Sequence, residues 1–210
     1  MDAIEIISRV QANYGACSSY RDKGSVSRTA DDGQRHEIDF ETYFIRPDWF
    51  RFDWIRPHSC SNPGESVRHW FTIRSNGPLA SARYLWVRDS GNKKQIISDS
   101  AVTLPMAVAA GASTSHGVVA WVYQLLFPAG SPSEASLFTG ASELMPQIAA
   151  WYSADCYVIR GSCSSGDLEL WVDREQFAIR RAVIRAGESV HDMCVHACGF
   201  NEPIDTQTFD

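Results

Sequence analysis

Three short runs of this 210-residue sequence carry side chains that could do chemistry. The densest is HDMCVHAC, His191 to Cys198, which offers imidazoles and thiols in the manner of a metal site. On a strand, Cys194, His196 and Cys198 share a face, but at ~3.3 Å per residue Cys194 and Cys198 stand ~13 Å apart. One ion bound at ~2.1 to 2.3 Å cannot reach both. Only Cys194 with His196 and donors from elsewhere could serve, and polar strand residues or buried thiols are the expected reading. The second run, GASTSHG (Gly111 to Gly117), places the hydroxyls of Ser113 and Ser115 beside His116, the ingredients of an activated nucleophile. Nothing in the sequence supplies an Asp partner or an oxyanion hole, so a hinge of small residues between two helices is the better account. The third, Glu188-x-x-His191, has the di-iron helix spacing but occurs once and in a strand pattern. No GxSxG elbow, P-loop, GxGxxG or HExxH is present. We therefore expect no catalytic residues, no metal and no cofactor, with an esterase-like hydrolase on Ser113, Ser115 or His116 as the enzymatic alternative.

The elements that would position these residues are legible from periodicity. Residues 3 to 14, AIEIISRVQANY, place Ile4, Ile7, Val10 and Tyr14 at helical spacing and predict an amphipathic first helix. From about Tyr20 the period becomes two. His36, Ile38, Phe40, Thr42 and Phe44 fall on one side of a strand, and Arg35, Glu37, Asp39 and Glu41 on the other. Phe50, Phe52 and Trp54 repeat the pattern, then Val67, His69, Phe71 and Ile73, then Ala80, Ala82, Tyr84 and Trp86. Strands in succession without helices between them predict an antiparallel meander with one wet face, because parallel neighbours need long crossovers. The pattern resumes from Cys156 to Arg160, at Leu168, Leu170 and Val172, from Phe177 to Arg185 and from Val190 to Cys198. The tail is expected to run extended and pack through Ile204 and Phe209. Cys156 and Cys163 flank Arg-Gly-Ser, read as a turn across which they could pair in an oxidising compartment.

Between the two sets of strands the chain changes character. From Ser100 to Ser133 there is no Asp, Glu, Lys or Arg. A membrane span needs ~20 uninterrupted apolar residues, whereas Pro105, Gly111 and the polar ASTSH cut this stretch into shorter pieces, so we expect two short helices and no integral membrane protein. Both are apolar nearly all round, so they must be covered or cover something. The natural partner is the aromatic face of the sheet, since each large aromatic left wet forgoes roughly 1.5 to 3 kcal/mol. A perfect fit would make a plain core; a loose one would leave a greasy pocket under a lid. Composition is ordinary for a globular chain, 44% hydrophobic and 21% charged, and one domain spanning 1–210 is expected. The net charge of -6 gives nucleic-acid binding no electrostatic support.

Four segments together bring a family into view. YFIRPDWFRFDW resembles the Arg-Pro strand pair of the LolA/LolB-like lipoprotein carriers of the bacterial envelope. IRSNGPLASARYLWV is similar to their next hairpin, LELWVDREQFAIRRAVI to the later one with its Trp-x-Asp turn, and EPIDTQTF to the closing element. They occur in the family's order over nearly the whole chain. The resemblance implies an α+β fold: a curved antiparallel half-barrel capped by an N-terminal helix and short inserted apolar helices, holding acyl chains in a cavity. It implies that Arg46 bonds lid backbone groups and keeps the empty cavity shut, and that Phe50 lines the cavity near its mouth. The plain alternative for Arg46 is a strand-end side chain that reaches water over its aliphatic stem. With the aromatic face, the expected ligand-binding set is Phe40, Phe44, Phe50, Phe52, Trp54, Phe71, Tyr84 and Trp86 on the sheet and Trp121 and Leu125 on the lid. The expected function is noncatalytic binding or carriage of an apolar ligand, with a lipid or acylated protein as partner and an envelope delivery or receptor protein beyond it. The alternative is a structural or protein-binding module with a filled core. Residence would be periplasmic if a signal peptide precedes the sequence and cytoplasmic otherwise.

Overall fold

The computed structural model describes residues 1–29, 33, 35–59, 66–76, 80–88, 94–112, 114–128, 137–139, 142–144, 149–151 and 154–209, with backbone alone for 56–59, 66–70, 76, 80–88, 94–102, 142 and 144. Helix α1 (Ala3–Ala16) starts at a reciprocal cap: Asp2 Oδ1 accepts from the Glu5 amide at 2.8 Å, and Glu5 Oε2 accepts from the Asp2 amide at 3.0 Å. Its buried stripe is Ala3, Ile6, Ile7, Val10 and Tyr14. Of the expected stripe, Ile7, Val10 and Tyr14 are buried, whereas Ile4 is 71% exposed and Ile6 takes its place. Two overlapping stripes fit the sequence, and the one that adds Ala3 and Ile6 at spacings of three and four hides more apolar surface.

The strands are β1 (Ser19–Thr29), β2 (Arg35–Ile45), β3 (Trp49–Ser59), β4 (Ser66–Asn76), β5 (Ala80–Arg88) and β6 (Lys94–Val102), then β7 (Ser142–Leu144), β8 (Ala149–Trp151), β9 (Ala154–Cys163), β10 (Gly166–Asp173), β11 (Ile179–Ala186) and β12 (Ser189–Phe200). Helices α2 (Leu104–Ala112) and α3 (Val118–Leu126) lie between the two groups. All pairings are antiparallel, in the order β6-β5-β4-β3-β2-β1-β12-β11-β10-β9-β7, with β8 also on β9. Two meanders thus meet where β1 pairs β12, and the sheet does not close into a barrel. Because β6 and β7 are the two ends of that order, the segment carrying α2 and α3 runs from one sheet edge to the other. The expected α+β half-barrel with inserted helices is the fold observed.

Some details differ from expectation. Cys156 and Cys163 lie on the single strand β9, whose turn comes later, at Ser164–Ser165, so they sit ~23 Å apart and cannot pair. Cys17, Cys156, Cys163, Cys194 and Cys198 are free thiols. The tail ends in a 3₁₀ turn, Thr206–Phe209, that seats Phe209 against Trp49 at 5.5 Å between ring centroids, while Ile204 is half-buried. The Arg-rich strand β11 is explained by its neighbours. Arg180 binds Asp173 through Nε and Nη2 at 3.0 and 2.7 Å, bracing the β10–β11 turn. Arg181, on the outer face, pairs with Asp192 at 2.8 and 2.6 Å and lies over Trp151 and Trp171.

Inside the sheet, Tyr14, Tyr20 and Phe200 form a ring cluster with centroids 5.0 to 5.2 Å apart. Beneath it, Tyr20 Oη donates to Asp22 Oδ2 at 2.6 Å, and Asp22 is only 6% exposed. Burial raises the Asp22 carboxyl from its ordinary value to about 6. Between about pH 4 and pH 6 the folded state therefore keeps a proton that the unfolded chain has lost, so this group's contribution to stability falls as pH rises through that window and is flat above it. Asp22→Asn, which keeps an acceptor for Tyr20, is expected to match the wild type near pH 4 and to exceed it by roughly 2 to 3 kcal/mol near pH 7. Urea denaturation of both proteins across this range checks the step; a difference independent of pH would contradict it.

Candidate functional site

Helix α3 faces two ways. Val119, Val122, Tyr123 and Leu126 form one stripe, all buried. This stripe meets the aromatic wall of β2 and β3: Phe50 lies 6.4 Å from Tyr123 and 6.0 Å from Phe127, and Phe44 lies 5.1 Å from Phe127. Phe40 stacks on Phe52 at 5.7 Å and Trp54 on Phe71 at 4.9 Å. Helix α2 closes over this wall through Gly111, where an added Cβ would come within 2.9 Å of Ile73 and 3.1 Å of Trp54. Large rings and a close helix pack tightly here among the described residues. Phe40, Phe44, Phe50 and Phe52 are 0 to 1% exposed and Trp54 3%.

The other stripe of α3, Ala120, Trp121 and Gln124, with the N-cap Gly117, borders a cavity of ≈ 580 Å³. Its floor is Val26 on β1, Ala182 and Ile184 on β11 and Met193 on β12. Leu137 and the β9–β10 turn, Cys163 to Ser165, close its side. The physical cause is side-chain volume. Where β2 and β3 send Phe and Trp inward, β11 sends Ala182 and Ala186, and the facing helical residues include Ala112, Gly117 and Ala120. Helix α3 borders both regions, and the small side chains do not fill what the large ones fill.

Of the ten residues expected to contact ligand, Trp121 lines this cavity. Phe40, Phe44, Phe50, Phe52, Trp54 and Leu125 are core side chains, and Phe71 is partly buried against Trp54. Tyr84 and Trp86 lie on β5, with side chains outside the described residues. What the sequence reading missed is the cavity's polar end: Arg28 on β1, His191 on β12 and His116 in the α2–α3 turn. Arg28 carried a usable signal. It continues the inward row Gly24, Val26, as Arg46 continues that of β2, and a charge on an inward row invites the question of what it faces. The His116 and His191 rings are 6.4 Å apart in an edge-to-face arrangement. Burial, and then the nearby Arg28 charge, hold His191 below the ordinary imidazole value.

Arg46 stands at the opposite end of α3. Its Nε donates to Cys17 O at 2.9 Å, and its Nη2 to Tyr14 O and Leu126 O at 3.2 Å each. Its guanidinium lies 5.1 Å from the Phe44 ring centroid. Tyr14 and Leu126 lie in the last turns of α1 and α3, where carbonyls have no intrahelical donor, and the planar five-donor fork can serve several of them at once.

The chemistry-bearing runs are otherwise engaged. Ser115 is buried, its Oγ donating to Ala112 O at 3.3 Å and accepting from the Val119 amide at 3.4 Å. With His116 at φ 52° and Gly117 at φ 85°, this turn reverses the chain between α2 and α3; Ser113 lies outside the described residues. On β12, Cys194 contacts Asp192 and His196 contacts Ser25, both facing outward. Among the described residues no three His, Cys, Asp or Glu side chains are gathered for a metal, and no helix is long and apolar enough to cross a membrane.

No family model and no curated protein matches the sequence. Solved structures do. LprF from Mycobacterium bovis superposes with a TM-score of 0.57 at 9% identity, covering 96% of this chain and 93% of that one. A putative outer membrane lipoprotein-sorting protein domain from Vibrio parahaemolyticus is similar at a TM-score of 0.34, 7% identity and 99% and 95% coverage. The LolA superfamily protein NE2245 from Nitrosomonas europaea is similar at 0.32, 9% identity and 100% and 98% coverage. The last two superpose too loosely to add weight to the first. At such identities the likeness speaks for architecture alone, an open antiparallel sheet with inserted helices of α+β class.

Proposed function

We propose that the whole chain, residues 1–210, is a noncatalytic binding or carrier domain for an apolar ligand, an acyl chain, lipid or lipoprotein, seated between α3 and the β1–β12–β11 floor. The observation that carries this reading is the ≈ 580 Å³ cavity under one stripe of a lid helix that carries no charge. Its size falls within the roughly 300 to 1,000 Å³ of ligand pockets, and its body is Val, Ala, Ile, Met and Trp. Each buried methylene of a guest would contribute ~0.8 kcal/mol, so a medium-length chain suffices to offset the cost of moving a lid. The aromatic wall gives α3 a rigid seat, and the guest occupies the looser side. Delivery to an envelope partner and residence in the periplasm belong to the same reading.

In this reading Arg46 is the latch. It holds α3 by its C-terminal end, away from the cavity mouth, and joins it to the end of α1 through three carbonyls. Lid opening breaks the Leu126 contact and leaves the other two. A latch that is too strong would refuse cargo, and one that is too weak would keep it.

Two outcomes are expected. Titration with a solvatochromic dye or a fatty acid gives saturable binding at one site, and Ala182→Phe, which fills the floor, abolishes it while the far-ultraviolet circular dichroism is unchanged. Binding that is absent, or indifferent to Ala182→Phe, would contradict the cavity reading. Arg46→Leu leaves three helix-end carbonyls without their donor and lowers stability by about 2 to 4 kcal/mol. It also speeds hydrogen exchange in α3 more than in β10–β12 and slows release of bound fatty acid. If neither lid exchange nor ligand retention changes, the latch is wrong.

A further inference from the structure

The cavity is apolar along its body and cationic at one end. Arg28 and His191 are Cα partners across β1 and β12, Arg28 is also the partner of His36 on β2, and the next position in the row is Ile184 on β11. The row therefore runs His36, Arg28, His191 across three adjacent strands before the floor turns apolar. His116 approaches from the α2–α3 turn, and Gly117, the N-cap of α3, and Val118, its first residue, also border the space, bringing the positive end of a helix dipole. Among the described residues that line the cavity there is no Asp or Glu. Arg21, Arg35, Arg51, Arg160, Arg180 and Arg181 each stand within ion-pair distance of a carboxylate, whereas Arg28 pairs with none among the described residues. The carboxylates nearest in sequence register, Glu37 and Asp192, sit opposite Ser27 and so point to the other face, where Asp192 is held by Arg181.

We propose that this end of the cavity is an anion site, in which Arg28 and His191 receive the acidic head of an amphiphile whose chain lies along Val26, Ile184, Met193 and Trp121. The proposal rests on the carrier reading and names its ligand class: a lipid or fatty acid with a carboxylate or phosphate head, in preference to a neutral one. Arg28 is exposed, so the head group stays at the opening, in contact with water, while the chain is buried. That placement avoids the desolvation cost of burying a full charge and still orients the guest, head at the mouth and tail inward. The guanidinium offers several donors to a planar carboxylate or a phosphate. His191, whose imidazole burial and then Arg28 hold below its ordinary value, becomes easier to protonate once an anion lies beside it.

The test compares dodecanoate, dodecyl phosphate, methyl dodecanoate and inorganic phosphate by calorimetric titration against the wild-type protein and Arg28→Gln. Dodecanoate and dodecyl phosphate are expected to bind at least about tenfold more tightly than the methyl ester, and inorganic phosphate not measurably, because the chain supplies the burial. Arg28→Gln is expected to weaken the two anionic amphiphiles about tenfold and leave the ester unchanged. In histidine-selective NMR, the His191 titration should move to higher pH when dodecanoate is bound and stay in place with the ester. Equal affinity for acid and ester, or an equal loss for both in Arg28→Gln, would overturn the anion site while leaving the cavity reading intact. Failure of every chain-bearing ligand to bind would overturn both. Binding of inorganic phosphate as tight as that of dodecyl phosphate would make this a free-anion site and overturn the amphiphile.

Discussion

A helix that ends inside a protein leaves carbonyls that nothing in the helix can satisfy, and this fold brings two such ends together. The last turns of α1 and α3 converge on the edge of the aromatic wall, where one guanidinium, that of Arg46, donates to Tyr14, Cys17 and Leu126. No apolar side chain could stand there without stranding these acceptors. The contact ties the C-terminal end of α3 to that of α1. Val119, Val122, Tyr123 and Leu126 face the rings of β2 and β3, and Gly117, Ala120, Trp121 and Gln124 face the second meander. The cavity is a consequence of the smaller side chains on the far side.

The two halves of the sheet divide the labour by volume. Phe44, Phe50, Phe52 and Trp54 occupy the space beneath α2 and α3 to the point where Gly111 can carry no side chain without displacing Ile73 or Trp54. Close-packed interiors of this sort resist deformation, which gives α3 a rigid seat. Ala182, Ala186 and Val26 leave room instead. Strand β1, shared by both meanders through its pairing with β2 and β12, carries the transition along its own length, from the buried Tyr20 and Asp22 to Val26 and the exposed Arg28.

Much of this was legible beforehand. Period-two runs such as His36 to Phe44 and Leu168 to Val172 gave strands with the correct inward face, and the charge-free stretch after Ser100 gave two lid helices. The helix-end carbonyls expected around Arg46 are where the Arg-Pro resemblance pointed. The site was less legible, for a physical reason. Inward aromatic side chains read alike in sequence whether they fill a core or line a space, and Phe40, Phe44, Phe50, Phe52 and Trp54 are buried among one another. The signal for a void is small residues at inward positions, as at Ala182 and Ala186, and it is faint because alanine is common everywhere. On α1 the buried stripe takes Ile6 in place of Ile4 beside the expected Ile7, Val10 and Tyr14, and no turn forms at Arg-Gly-Ser because β9 continues through it to Cys163.

The central claim is a location: a guest chain lies over β1, β11 and β12, beside the aromatic wall and not within it. Photo-crosslinking with a fatty acid bearing a diazirine along its chain, followed by peptide mass spectrometry, measures that location directly. The account predicts label on the segments containing Trp121, Ile184 and Met193 and none on the segment from Phe50 to Trp54. Label concentrated on that aromatic segment, on the outer-face residues around Trp171 and Arg181, or nowhere above background, would contradict it.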